Sequence, residues 1–234
     1  MVATPIGNLK DVTFRAIETL KSVDLVVAED TRRTRTLLNH FQVRVPLISY
    51  FEHNRLYRIP RILKKLKEGS DVALVTDAGT PGISDPAYRL IRTALEHGIP
   101  VTSVPGPSSV ITAVVQSGLP TDRFVFEGFL PRKKGRAARL KALANEDRTV
   151  VLFESPERLV STLESCLRYL GNRPVSVCRE LTKVHEEVYR GTLNDAVHHF
   201  MKKRPRGEIV IVIGKDDPRV HFGWLPEGQE SSLP

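Results

Sequence analysis

The sequence predicts an α/β protein of two domains: a mostly parallel N-terminal sheet with helices on both faces, then a mixed-sheet α/β domain. Three observations carry that prediction. Through the first half of the 234 residues, short β-branched runs alternate with longer amphipathic segments, the pattern of strands joined by crossover helices. The stretch "SGLPTDR", 117–123, is turn-rich and interrupts the alternation. Beyond it the apolar runs lie closer together, leaving room for fewer helices and for antiparallel neighbours.

Taken in order, Val2–Thr4 is a short first strand ahead of the "PIGN" loop. "SVDLVVAED" (22–30), "VPLISYF" (45–51), "SDVALVTDAG" (70–79) and "IPVTSVPG" (99–106) read as buried strands. Between them, 13–20, 34–41, 59–68, 86–96 and 108–117 show helical spacing or composition. "LKEGSD" and "LEHGIP" each place a glycine where a helix stops. In the second half, "FVFEGFL", "RTVVLFES", "RPVSVCREL", "EEVYRGT" and "GEIVIVIGK" are the strands, with "KVHEEVYRGTL" antiparallel. The expected limits are 1–119 for the first domain, 123–215 for the second and 216–234 for a polar tail ending "PEGQESSLP".

Composition narrows the partners. A chain 41% hydrophobic and 26% charged is ordinary globular protein, but the formal net charge is +8. That balance favours a polyanion, nucleic acid first and an anionic membrane surface second. No apolar run approaches the ~20 residues that span a bilayer. "MVATPIGNLK" lacks the charged start and apolar core of a signal peptide. The two cysteines, Cys166 and Cys178, match no zinc or redox spacing. Buried free thiols and a cytoplasmic location are expected. No metal constellation is present in the pattern; His198 and His199 read as surface residues of an amphipathic helix.

The informative loops each follow a strand: "ATPIGN", "AEDTRRTR", "TDAGTPGISDP" and "VPGPSS". In a parallel sheet such loops emerge at the carboxyl edge, where ligands bind. Glycine lets backbone approach a ligand and proline pre-sets the turn. Neither GxxxxGK[ST] nor GxGxxG occurs, so a phosphate cradle of those kinds is excluded. Asp77 admits two readings, a turn residue and a ligand-binding carboxylate; Asp85 admits the same two, with the turn and helix-cap reading favoured. "LPRKKGRAARLKAL", 130–143, is the densest basic stretch, with Arg132, Lys133, Lys134, Arg136, Arg139 and Lys141. It fits either phosphate neutralisation or a solvated helix face. "AEDTRRTR" adds Arg32, Arg33 and Arg35 on a loop, and "YFEHNRLYR" adds His53, Asn54 and Arg55 on another.

The ordered set "VATPIGNLKDVTFRAIETLKSVDLVVAEDTRRTRTLL", "ALVTDAGTPGISDPAYRLI", "PGPSSVITAVVQSGLPTDRFVFEGFLPRKKGR", "FESPERL", "CRELTKVHEEVYRGTL" and "PRGEIVIVI" resembles the bacterial small-subunit rRNA methyltransferase I family. That family is the rRNA branch of the tetrapyrrole (corrin/porphyrin) methylase fold. The resemblance runs from Val2 to about Lys215. It implies a two-domain tetrapyrrole methylase-like fold, with S-adenosylmethionine in the interdomain cleft. It further implies a homodimer that methylates the ribose 2′-oxygen of a cytidine in the decoding region of 16S rRNA. The family's first strand is usually longer and more apolar than Met1-Val2, and some members carry a further small domain after the last strand.

Carried across by motif, the implied cofactor set is Ile6, Asp77, Thr80, Ser108, Ser109, Phe153, Leu181 and Pro205. The candidate RNA contacts come from the basic stretch and the loops named above: Arg32, Arg35, His53, Arg132, Lys133, Lys134 and Arg136. A ribose hydroxyl is a poor nucleophile until it loses its proton, so a base or cation beside it is required. Glu29 and Asp30, and Glu180 and Lys183, are the candidates, with Lys183 as base or as stabilising cation and a plain Glu180–Lys183 salt bridge as the alternative. Methylation of a tetrapyrrole or other small molecule, and a catalytically weakened RNA-binding factor, are the rival functions the same fold allows.

Overall fold

The computed structural model describes residues 1–203 and 205–223; the "PEGQESSLP" end of the expected tail lies outside them. Contacts divide the chain into two compact units, one spanning Met1–Ser108 and one beginning at Ser109.

In the first unit, β1 (Leu25–Ala28), β2 (Leu47–Ser49) and β3 (Val72–Val75) form a parallel sheet in the order β2-β1-β3. The helices are α1 (Phe14–Ser22), α2 (Thr31–His40), α3 (Arg55–Lys67) and α4 (Ala87–Glu96). Side chains of a strand alternate between faces, and the core follows that rule. Val26, Ala28, Ala73 and Val75 pack with Ala16 and Leu20 of α1 and Leu38 of α2. Leu25, Val27 and Leu74 pack instead with Ile62 of α3 and with Ala87 and Leu90 of α4. Helices therefore cover both faces, as the strand–helix alternation requires. Gly69 and Gly98 close α3 and α4 in the left-handed conformation, at φ +89° and +69°.

Four local expectations are corrected. The run 99–106 is no buried strand: it makes a single bridge, Val104 to Val2, and Thr102 and Ser103 are exposed. Pro100, Pro105 and Pro107 bring no backbone donor, so a ladder cannot extend through it. β2 is only half-buried, as the edge strand of its sheet. α2 begins at Thr31 instead of Thr34, because the Asp30 side chain caps it by accepting from Arg32 N. α3 begins at Arg55 instead of Ile59 and holds Pro60 inside it. Proline at this position brings no N–H to the Leu56 carbonyl, and Leu56 is 80% exposed.

The second unit contains α5 (Ser109–Ser117), β4 (Phe124–Phe129), α6 (Arg136–Ala144), β5 (Thr149–Glu154), α7 (Leu159–Leu170), β6 (Pro174–Arg179), β7 (Glu187–Thr192), α8 (Leu193–Lys202) and β8 (Ile209–Ile213). Its sheet runs β4-β5-β8-β6-β7. Only β4 and β5 pair in parallel; the other neighbours are antiparallel. The mixed sheet and the antiparallel β7 match the sequence reading. Leu140 and Leu143 of α6, Leu159, Leu163 and Cys166 of α7, and Leu193, Ala196 and Phe200 of α8 share one core with the sheet. Thr192 and Asp195 close a capping box at the start of α8. Cys166 and Cys178 are buried and free, and burial pushes the Cys166 thiol up to about 12. His198 is exposed as expected, but His199 is half-buried, its ring 4.7 Å from Tyr189 and 4.8 Å from Phe200. No helix among the described residues is long and apolar enough to cross a membrane.

Arg173 organises the ends of two helices. It is 3% exposed. Its guanidinium donates to Leu170 O at 3.0 Å, Ala144 O at 2.6 Å and Glu146 O at 3.0 Å. A buried cation thus satisfies carbonyls at the negative ends of α6 and α7. Arg173→Met keeps most of the volume but strands those acceptors. Urea unfolding should show it less stable by about 3 kcal/mol.

Candidate functional site

In the first unit the site grows from the carboxyl ends of β1 and β3. Glu29 and Asp30 follow β1; Thr76 and Asp77 follow β3. Asp77 accepts from Asp30 N at 2.9 Å, and its other oxygen lies 3.4 Å from Arg33. Glu29 accepts from Thr76 Oγ1 at 3.0 Å. Burial raises the Glu29 pKa; the Thr76 hydrogen bond opposes this, and the charges of Asp77 and Asp85 add to the rise. A carboxyl raised in this way holds a proton more readily than an exposed one.

The two glycine loops meet here. Thr4 and Gly79 exchange a pair of backbone hydrogen bonds of 3.0 Å. Gly79 has φ +82°, and a Cβ there would sit 3.4 Å from Ile6 Cγ2, so glycine fits both the turn and the close approach. Thr80 Oγ1 donates to Pro107 O, one residue before Ser108. Ile6, Asp77, Thr80 and Glu29 are thus brought to one edge of the unit. Asp85 accepts from Gly82 N and Ala87 N, the turn and cap role favoured from the sequence.

Arg32 and Arg35 lie in α2, not on a loop, and both are exposed. Asn54 is the N-cap position of α3 and Arg55 its first residue, paired with Glu52. His53 is exposed in the preceding turn, 6.4 Å from the Phe51 ring, and no contact ties it to the Asp77 cluster. Thr76 was not among the residues picked from the sequence, and Arg33, picked there as a loop residue, lies in α2 with its guanidinium 3.4 Å from Asp77. With Asp30 as cap, position 33 falls in the first turn of α2.

In the second unit, Glu180 and Thr182 adopt φ +51° and +66° on either side of buried Leu181. Two non-glycine residues in that region mark stored strain, which gathers at functional sites. Glu180 accepts from Lys183 Nζ at 2.7 Å and from Glu208 N at 2.9 Å. A Cβ on Gly207, itself at φ +86°, would overlap the Glu180 carboxyl. Burial works to lower the Lys183 pKa, but Glu180 and Glu208 outweigh it and the net shift is upward. Burial likewise works to raise Glu180, and the hydrogen bonds from Lys183 and Glu208 N outweigh it and lower it. Both groups are held charged, so Lys183 is suited to be a cation and unsuited to be a neutral base. The Thr182 hydroxyl oxygen is buried without a partner among the described residues.

Phe153 on β5 is half-buried, its ring 5.0 Å from Phe126 and 5.5 Å from Phe129 of β4. Pro205 is half-buried before β8, and Ser109 opens α5. Of the basic stretch, Arg132, Lys133 and Lys134 are exposed in the turn before α6. Arg136 donates to Thr162 Oγ1 at 2.8 Å, and Arg139 is paired with Glu127.

A parallel sheet with glycine-rich loops at one edge in the first unit, and a mixed sheet with a strained acid–lysine turn in the second, define an α/β protein. The comparisons make the class specific. Residues 1–197 match the family model described as Tetrapyrrole (Corrin/Porphyrin) Methylases, and the chain belongs to that family. It is 53% identical to the ribosomal RNA small subunit methyltransferase I of Thermotoga maritima, over 92% of this chain and 98% of that protein. Identity to the proteins of the same name from Synechocystis and Escherichia coli O157:H7 is 51% and 46%, over 100% and 91% of this chain and 84% and 76% of theirs. Among solved structures, diphthine synthase superposes with TM-score 0.71 at 15% identity, over 92% of this chain and 90% of that one. Uroporphyrin-III-C-methyltransferase from Thermus thermophilus gives 0.66 at 20%, over 92% of both chains. These two likenesses concern the fold.

The cap of α2 makes a direct electrostatic prediction. Hydrogen bonds from the Arg32 side chain and backbone hold Asp30 at about 2, below its ordinary 3.8. A carboxylate depressed on folding contributes its stabilisation fully above the unfolded value and loses it as pH falls through the folded one. A carbon-13 titration of the Asp30 carboxyl should show a midpoint near 2, and Arg32→Ala should move it upward.

Proposed function

We propose that this protein transfers a methyl group from S-adenosylmethionine to the ribose 2′-oxygen of a cytidine in the decoding region of 16S rRNA. The observation that carries the reading is identity of 46–53% to small-subunit rRNA methyltransferases, across nearly the whole chain. The net charge of +8 supports a nucleic-acid substrate over a small neutral one.

The residues present fit the donor's chemistry. Asp77 offers a carboxylate to its polar end, and Ile6, packed close to Gly79, offers an apolar surface next to it. In the second unit Phe153 and Leu181 supply apolar surface, and the unpartnered Thr182 hydroxyl oxygen is a polar group in need of a partner. Thr80, Ser108, Ser109 and Pro205 complete the proposed set. When bound, the donor supplies an electrophilic methyl on a sulfonium. The protein's task is to align the 2′-oxygen with it and to manage the proton. Glu29, with its raised pKa, is the proposed acceptor of that proton. Lys183, held charged by Glu180 and Glu208, is the proposed cation for the developing alkoxide. Glu180 positions it.

Arg32 and Arg35 of α2, with His53, are the proposed RNA contacts of the first unit; Arg132, Lys133, Lys134 and Arg136 are those of the second. Action as a homodimer in the cytoplasm is part of the proposal. Exposed Leu56, Tyr57 and Tyr88 support a self-association surface on the first unit.

Transfer of labelled methyl to small ribosomal subunits lacking the modification, mapped by nuclease digestion and mass spectrometry, tests the reading. Label on a cytidine ribose is expected; label on a base, or none with donor binding intact, sinks it. Asp77→Asn retains an acceptor for Asp30 N while removing the charge. Calorimetry should show donor affinity falling by about tenfold or more, the loss of one charged contact. Lys183→Met should lower kcat by about a hundredfold, with Lys183→Arg retaining part of it and donor affinity unchanged in both.

A further inference from the structure

The second unit contains an open groove of about 620 Å³ lined by Arg132, Lys133, Arg136, Ser155, Glu157, Arg158, Ser161 and Ser165. Four cations face one carboxylate, Glu157, and the rest of the lining is hydroxyls. No large apolar side chain lines it, so neither a stacked base nor an inserted lipid chain has a wall to bind.

What lies under the groove explains its form. Glu154 is buried, its side chain 0% exposed. It accepts from Thr162 Oγ1 at 2.6 Å and from Ser155 N at 2.8 Å, and pairs with Arg158 at 3.3 Å. Thr162 in turn accepts from Arg136, which also donates to Pro131 O at 3.3 Å. Arg158 donates to Leu130 O at 2.8 Å. One buried carboxylate therefore fixes two guanidinium groups from separate helical segments, and each keeps N–H groups beyond those used in the anchoring. Arg132 and Lys133, by contrast, are exposed and make no ion pair among the described residues. The groove combines a hydrogen-bonded cationic wall with an exposed one, in a volume larger than a single small anion fills.

We propose that this groove is a phosphodiester-binding subsite for RNA: Arg136 and Arg158 are the fixed contacts, Arg132 and Lys133 the adaptable ones, and Ser155 and Ser161 the hydroxyl partners. The inference rests on rRNA as the substrate and places part of its backbone on the second unit. Arg158 and the serines belong to no contact set derived above. Phosphate contacts of this kind set register and orientation without reading sequence, which suits a module that positions a strand for chemistry elsewhere.

Two variants test it without touching the Glu154 anchor. Arg132→Ala/Lys133→Ala removes the exposed cations, and Ser161→Glu places a carboxylate in the groove on an exposed helical position. Binding of fluorescently labelled 16S rRNA is titrated over a range of salt, with thermal unfolding as the check on folding. Both variants should bind about tenfold more weakly at low salt, and the double variant should lose about two from the slope of log K against log salt. Unchanged affinity and slope in both variants would overturn the proposal. So would RNA binding left intact while binding to phosphatidylglycerol vesicles falls, which would assign the groove to a membrane surface. Methyl transfer by the unaltered chain is measured on small ribosomal subunits lacking the modification. Its absence would remove the methyltransferase reading while the groove is still judged by binding alone.

Discussion

The first unit depends on a few backbone hydrogen bonds made by its first four residues. Val2 N donates to Leu74 O of β3 at 2.9 Å, Ala3 N to Val104 O at 3.2 Å, and Val104 N to Met1 O at 2.8 Å. Thr4 then pairs with Gly79. The segment is too short to be a strand of any length, yet it joins β3 to a proline-rich run that cannot build a ladder itself. Its packing is as tight as its hydrogen bonding: Val2 is 1% exposed, and a Cβ on Gly106 would lie 3.0 Å from Ala3 Cβ. Because each glycine loop starts where one of these backbone segments ends, this pairing sets where Ile6, Gly79 and Pro107 lie relative to one another.

Electrostatics gives the two units different characters. The loop edge of the first gathers Glu29, Asp30, Asp77 and Asp85 in a protein whose net charge is +8. Most of that acidity is already committed: Asp30 caps α2, Asp77 holds the start of α2 to the end of β3, and Asp85 closes a turn. Glu29 is the member raised by burial and by its neighbours' charge. The second unit uses buried charge as an anchor. Arg173 binds carbonyls at helix ends, and Glu154 pairs with Arg158 and accepts from Thr162, which in turn holds Arg136.

The strained turn at Glu180–Thr182 illustrates how one residue's identity depends on another far away in sequence. Glu180 occupies space that any side chain at position 207 would need. "RPRGE" and "RELTK" are thus coupled by steric exclusion as well as by the Glu208 N–H to Glu180 hydrogen bond.

The sequence by itself determined the class of fold and the placing of most elements. Alternating β-branched and amphipathic runs are local consequences of backbone geometry and of burying one face. Glycines at helix ends and loops after strands follow from steric rules that act within a few residues. The family motifs were legible for the same reason: each is a contiguous stretch. Tertiary structure decided the rest. The run at 99–106 has strand-like residues but lacks the donors and neighbours for a ladder. The arginines after Asp30 are helical because its carboxylate caps α2 by accepting from Arg32 N. The charge states of Glu29 and Lys183 depend on Thr76, Asp77 and Glu208, between 25 and 48 residues away by subtraction of residue numbers. The basic groove needed a carboxylate on β5, a hydroxyl on α7 and a guanidinium on α6 to meet in one place. Such meetings are long-range and set by packing, which is why reading along the chain names the residues without showing which of them hold one another in position.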